Sequence, residues 1–153
     1  MNTDYLSEEK FSELSAEIEF LKTEGRAEVA KRLEYAKSLG DLKENAEYHE
    51  AKEAFSNLEE RIADVESTLK NVTIVKRHHS VRVELGSRVR TSRKGTSEPK
   101  WYTVVGSRDA DALQGKISNE SPMGAAMLGK KKGDKFVVKT PKGEMEYKIE
   151  ELE

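Results

Sequence analysis

Asp41 and Glu44 stand three residues apart in the stretch Gly40-Asp41-Leu42-Lys43-Glu44-Asn45-Ala46-Glu47-Tyr48. On a helical turn that spacing lets two carboxylates face the same end of a helix. Two chemistries suit the pair. Asp-x-x-Glu at a helix start resembles a capping box, in which Asp41 accepts from free backbone N–H groups and Glu44 reaches back. Alternatively, the pair could help hold Mg²⁺. Two carboxylates do not complete a magnesium site, because the ion takes six oxygens and draws the remainder from water or phosphate. Such a pair gains use when it is pushed into a partner's site that already holds a metal and a phosphate chain. Around it, Leu42 could touch a partner surface and Lys43 a phosphate, Asn45 could orient a water or simply decorate the first helical turn, and Tyr48 could meet either the opposite helix or a base. His49 has no second ligand at clear spacing, and reads as a surface residue.

The pair needs an element to carry it, and the flanking sequence supplies one. Before it, Phe11, Leu14, Ile18, Leu21, Val29, Leu33 and Ala36 recur in strides of three and four, the helical period. Gly25 interrupts this seam, at a helix cost of about 1 kcal/mol relative to Ala. Ser7 can open the first helix, although Lys10 does not complete a capping box with it. After the pair, Ala51, Phe55, Leu58, Ile62, Val65, Leu69 and Val72 alternate fours and threes as a helix packed on one partner does. Gly40 stops the first helix and Asp41 is a good N-cap for the second. Helices joined so tightly fold back antiparallel, giving a rod of roughly 45 Å for thirty residues per arm. Sustained heptads also suit a dimerisation coiled coil.

Charge divides the chain as turn residues do. Residues 1–75 hold 10 Lys/Arg against 18 Asp/Glu, whereas residues 76–153 hold 17 against 11. Of the ten glycines and three prolines, all but Gly25 and Gly40 come after residue 80. The expected organisation is a hairpin domain over 1–75, a polar linker over 76–80 that includes His78 and His79, and a second domain over 81–153. At 37% charged and 35% hydrophobic residues, the 153-residue chain suits a long charged helical element beside a small globular domain. No apolar run approaches the roughly 20 residues of a membrane span, and the polar N-terminus is not a signal peptide. The absence of cysteine excludes disulfides, thiolate metal sites and cysteine nucleophiles. A soluble cytoplasmic protein is expected.

In the second half, VRVEL, SRVRT, WYTVV, KFVVKT and MEYKI read as strands, with Pro141-Lys142-Gly143 as a hairpin turn. Ser121-Pro122 opens a short helix through Leu128, closed by Gly129. The predicted fold is α+β, a twisted antiparallel sheet with one helix on its face. The basic excess, notably Arg88, Arg90, Arg93, Lys94, Lys130, Lys131 and Lys132, could meet an acidic partner or nucleic acid; scattered solvated charge is the plainer reading. No zinc finger, P-loop or dinucleotide turn is present.

The stretch GDLKENAEYHEAKE, followed by RIADVESTL, LGSRVRT, WYTVVGSRDAD, GKISNESPMGAAMLGKKKGD and TPKGEMEYKIEEL, resembles the Gre transcript cleavage factors in order and spacing across nearly the whole chain, most of all the GreA type. That resemblance implies an antiparallel coiled-coil hairpin that enters the secondary channel of bacterial RNA polymerase, and an FKBP-like docking domain that holds a coiled coil of the β′ subunit at the channel rim. It implies that Asp41 and Glu44 help bind the second Mg²⁺ and orient a water, while the polymerase's own active site cuts the 3′ end of backtracked nascent RNA. Asp111, Ser121 and Pro122 are the matched docking candidates; helix capping alone also accounts for Ser121-Pro122. The factor would act as a monomer, not as an enzyme by itself, and would hold no cofactor stably alone. The first helix lacks the dense basic stripe expected of the GreB type. Two rival readings remain. One is a channel-binding inhibitor that does not promote cleavage, and the other is a prolyl isomerase with a dimerisation arm.

Overall fold

A computed structural model describes residues 3–96 and 98–153. The chain packs as two compact units, one of them Phe11–Asn71 and the other residues 3–10 with Val72–Glu153.

The first unit is the helical hairpin. Its outgoing arm comprises α1 (Glu8–Phe20), a π-helical turn over Leu21–Gly25, and α2 (Arg26–Ser38); its return arm is α3 (Ala46–Lys70). Gly25 does not break the arm. The spacing Leu21, Gly25, Val29, Leu33 runs three fours in succession, one residue more than alternating threes and fours would place there. A π-turn absorbs such a surplus without ending the helix. At Gly25 a β-carbon would come within 3.2 Å of Leu58 Cδ1, so the arms approach closely at this level.

Leu14, Ala36, Ala51, Ile62 and Val65 are buried along the seam. Phe55, expected in the seam, is 47% exposed. The smaller neighbour Ala54 is half-buried in its place, as close helix approach favours. Ion pairs cross between the arms. Arg26 grips Glu59 through two hydrogen bonds of 2.8 and 2.9 Å, Arg61 grips Glu17 at 2.7 and 2.9 Å, and Lys22 meets Glu66. Being exposed and screened by solvent, they contribute little to stability and serve more to fix register.

The second unit begins with a pairing that hydrophobic periodicity concealed. β1 (Asp4–Ser7) and β2 (Val72–Val75) are parallel neighbours with Asp4 opposite Val72. Val72, read as the last seam position of the second helix, is therefore a strand residue, and α3 ends at Lys70. The contacts thus divide the chain at residues 10 and 71, whereas charge and turn residues placed the boundary between 75 and 81. Ser7 does open α1, its Oγ accepting from Lys10 N at 3.2 Å.

The remaining strands are β3 (Arg88–Arg93), β4 (Lys100–Val105), β5 (Lys116–Ser118), β6 (Lys135–Thr140) and β7 (Gly143–Leu152), in sheet order β5-β4-β3-β7-β6. Every pair is antiparallel except β4 with β5. The crossover over residues 106–115, which carries two short 3₁₀ turns, returns the chain parallel. Residues 81–85, expected as a strand, form none. Val83 is instead held by two backbone bonds, donating to Lys130 O and accepting from Gly129 N, each at 2.8 Å. One helix, α4 (Pro122–Met127), packs on the sheet, its Met127 sharing a core with Val83, Val89, Val104, Phe136, Val138 and Ile149. Phe136 stacks on Tyr147 with ring centroids 5.4 Å apart. In β6, buried Phe136 and Val138 alternate with exposed Lys135, Val137 and Lys139, the pattern of a strand with one wet face.

Candidate functional site

The turn between α2 and α3 occupies residues 39–45, at the end of the hairpin opposite the point where the chain enters and leaves it. α2 stops with Leu39, and Gly40 follows at φ +127°, a conformation that side chains resist. Asp41 does not cap α3. The helix begins at Ala46, and its N-cap is Asn45, in extended backbone, whose Oδ1 accepts from Tyr48 N at 3.1 Å. The capping-box reading of Asp41 and Glu44 is therefore overturned, because four residues of turn separate Asp41 from the helix it was expected to cap. Asp41 Oδ1 instead accepts from Lys43 N at 3.2 Å, a local Asx turn. The carboxylate of Glu44 takes no hydrogen bond from the described residues. Residues 41–44 are all exposed.

Asn45, read from sequence as orienting a water or simply decorating the first helical turn, does two structural jobs. While its Oδ1 caps α3, its Nδ2 donates to Ala36 O, in the last turn of α2, at 2.6 Å. His49 adds a second tie, its Nε2 lying 3.1 Å from Lys43 O. Tyr48 is half-buried, with Lys52 Nζ 5.5 Å from its ring centre. The loop that carries the two acids is thus held from behind by side chains, while the acids themselves form no ion pair among the described residues. The usable sequence signal was Asn followed by an apolar-periodic run, a standard helix start; it was outweighed by the Gly-Asp pair four residues earlier.

The donor set at this tip is two carboxylates, and among the described residues no cluster of three or more His, Cys, Asp or Glu side chains could hold a metal. The pair fits a magnesium ion as a partial ligand set, with oxygen donors of the right hardness and too few of them to bind alone.

The docking candidates lie in the second unit, flanking the edge strand β5. Asp111 precedes it, accepting from Leu113 N and Gln114 Nε2, each at 3.0 Å, and so capping the turn Ala112–Gln114. That turn presents Leu113 at 99% exposure, a residue the sequence reading passed over. Ser121 follows β5. Its Oγ accepts from Gly124 N at 3.1 Å and donates to Ser118 O at 2.7 Å, with Pro122 in the first turn of α4. Capping is thus a real role of Ser121. Gly124 is required beside it, because a β-carbon there would sit 1.9 Å from Ser118 O.

Comparison with known proteins places these features in context. Residues 4–74 match the model of the family described as transcription elongation factor, N-terminal, and residues 78–153 match that of transcription elongation factor, GreA/GreB, C-term. The chain is 42% identical to the transcription elongation factor GreA of Nautilia profundicola over 154 residues, spanning 99% of this chain and 95% of that protein. It is also 42% identical over 150 residues to the GreA of Halalkalibacterium halodurans, spanning 97% and 95%. Among solved structures, GreA factor homolog 1 of Thermus thermophilus is similar at 28% identity and a TM-score of 0.46, over 99% of each chain.

Proposed function

Because the chain belongs to the GreA/GreB family of transcription elongation factors, we propose that it binds bacterial RNA polymerase, inserts its hairpin into the secondary channel, and stimulates cleavage of the 3′ end of backtracked nascent RNA. The observation that carries this reading is the presentation of Asp41 and Glu44. They are two exposed carboxylates with no cation partner among the described residues, on a turn stiffened by Asn45 at the end of a helix of 25 residues. At about 1.5 Å per residue that helix spans about 37 Å, long enough to bring the turn to a recessed site.

Division of labour follows from the donor count. Asp41 and Glu44 supply oxygens to a Mg²⁺ ion shared with the polymerase active site, and one of them can accept a hydrogen bond from the attacking water. The ion they would hold would supply Lewis-acid chemistry, activating a water and offsetting charge on the phosphodiester. The reacting groups belong to the polymerase, so the factor is not an enzyme by itself. Asn45 contributes by keeping the turn closed, so that the acids enter the site with little freedom to lose. Asp111, Ser121 and Pro122, with exposed Leu113 beside them, form the surface proposed to hold the β′ coiled coil at the channel rim.

The test is RNA cleavage in a stalled, backtracked polymerase complex with Mg²⁺, comparing wild type with Asp41→Ala and Glu44→Ala while helicity is followed by circular dichroism. Loss of cleavage in both variants, with helicity and polymerase binding retained, is the expected result. A wild type that binds but never stimulates cleavage would establish the channel-inhibitor reading instead.

A further inference from the structure

β1 and β2 approach the sheet at two glycines. A β-carbon on Gly106 would meet Tyr5 O at 2.1 Å, and one on Gly86 would meet a Val75 methyl at 3.3 Å. A pocket of about 260 Å³ opens beside these glycines, lined only by residues of the second unit. Leu6, Val75, Leu85 and Val105 give it an apolar wall. Its exposed rim carries Glu8, Glu9, Lys76 and Arg77, two charges of each sign, with Glu8 4.0 Å from Lys76. Deeper in, Asp109 and Lys116 add one more of each. Asp109 is 3% exposed. Its Oδ2 accepts from Ser7 N and Ser7 Oγ, but its buried Oδ1 accepts no hydrogen bond among the described residues. Lys116 Nζ stands 3.5 Å from Oδ1, near enough to offset the charge without bonding to it. A buried carboxylate oxygen left without a donor is costly, and here the space beside it is open to a donor from outside.

We propose that this pocket binds a free α-amino acid with an apolar side chain. Such a molecule carries an ammonium and a carboxylate on one carbon, so its opposite charges are adjacent, as those of Asp109 and Lys116 are. Its ammonium donates to Asp109 Oδ1 and its carboxylate accepts from Lys116 Nζ, which gives each protein charge a charge-assisted bond. Its side chain lies on Leu6, Val75, Leu85 and Val105. Three acids and three bases line the pocket, and a site without net charge suits a zwitterion better than a polyanion or a polyamine. A purely apolar ligand would leave Oδ1 without a donor. The volume lies just under the roughly 300–1,000 Å³ of pockets for drug-sized ligands, as a small metabolite requires. The site makes no use of Asp41 or Glu44.

The test uses the full-length protein with no polymerase present. Calorimetric titration compares L-leucine with isocaproate, which lacks the ammonium, and with isoamylamine, which lacks the carboxylate. Leucine is expected to bind at one site per chain, and each analogue at least about tenfold more weakly for the loss of one charge-assisted bond. Lys116→Gln, checked for folding by circular dichroism, should lose most of the preference for leucine over isoamylamine, because the carboxylate then has no cation to meet. Hydrogen exchange locates the site: leucine should slow exchange in β1 and around Asp109 and leave β6 unaffected. No saturable binding at millimolar leucine overturns the proposal. So does equal binding of the three compounds, an unchanged preference in Lys116→Gln, or protection confined to another part of the chain. If Lys116→Gln fails to fold, the analogue series on wild type still decides. Because polymerase is absent, each of these outcomes is independent of whether the tip promotes cleavage.

Discussion

Asn45 and Ala36 are joined by a hydrogen bond of 2.6 Å that runs from the first residue outside one helix to a carbonyl in the last turn of the other. Since the same amide caps α3 through Tyr48 N, one side chain terminates two helices. Asn45→Ala should lower hairpin stability by about 1–2 kcal/mol. Asn45→Asp keeps the cap and loses only the donor, so it should fall between the two in urea unfolding. If Asn45→Asp matches wild type, the bond to Ala36 contributes nothing.

Replacing both tip acids isosterically, by Asp41→Asn and Glu44→Gln, should leave unfolding midpoints unchanged, because among the described residues neither carboxylate has a structural partner beyond the turn bond of Asp41. Stimulated cleavage should fall about tenfold or more, equivalent to about 1.4 kcal/mol of barrier, and recover in part at high Mg²⁺. A magnesium titration of the cleavage rate checks this, and an unaltered magnesium midpoint would count against metal holding by the tip.

Asp109 fastens β1 to the rest of the second unit. Its Oδ2 accepts from Ser7 N at 3.1 Å and from Ser7 Oγ at 2.5 Å, and Lys116 Nζ lies 3.5 Å from its other oxygen. Only 3% of the residue is exposed. Asp109→Ala should therefore destabilise by about 1.5–3 kcal/mol, with hydrogen exchange at β1 accelerating before exchange at β6. Equal acceleration in both strands would show that β1 is not separately held by this residue.

Gly106 meets β1 from below, and a β-carbon on it would lie 2.1 Å from Tyr5 O. Its backbone is ordinary, at φ −68°, so only space forbids a side chain. Backbone cannot rotate away as a side chain can, and Gly106→Ala should cost about 3 kcal/mol. Gly25→Ala meets only the Leu58 methyl at 3.2 Å and gains helix propensity of about 1 kcal/mol, so it should be close to neutral. Thermal unfolding of the two variants side by side distinguishes backbone from side-chain crowding.

The Arg26 guanidinium, bonded twice to Glu59, holds that carboxyl below the usual glutamate range. A group lowered in the folded state contributes stability above its unfolded pKa, about 4.3, and loses it as pH falls through the lower folded value. The difference in urea midpoint between wild type and Glu59→Gln should thus be present at neutral pH and vanish in acid. It should also shrink at high salt, as an exposed pair requires. A difference that persists below pH 3 would assign it to packing.

The helical seam was legible because Leu14, Ile62 and Val65 repeat at the helical period, and α4 because Ser121, Pro122 and Gly129 mark both of its ends. The Pro141-Lys142-Gly143 turn was equally plain. What escaped depended on partners distant in sequence. β1 has only four residues and shows no alternation of its own; it is a strand because β2 lies beside it. Conversely VRVEL alternates well, yet Val83 finds Gly129 and Lys130 rather than a strand. At the tip, the two acids were visible by type and spacing. The residue that arranges them was not, because Asn45 acts through a carbonyl nine positions back, and nothing in the local pattern announces that bond.

Parallel strands cannot be joined by a tight turn, and everything between Ser7 and Val72 is the connection between β1 and β2. Closing so long a loop from a disordered chain costs about 4 kcal/mol of entropy, more than two four-residue strands would easily return. A hairpin that zips first from its own turn brings those ends together in advance, using contacts formed in sequence from Asn45 outward. The order of events is then set during synthesis: β1 leaves the ribosome early and waits unpaired until the return arm is complete. A truncated chain that ends inside α3 would keep an exposed strand edge, the part of this protein most open to wrong partners while it is being made.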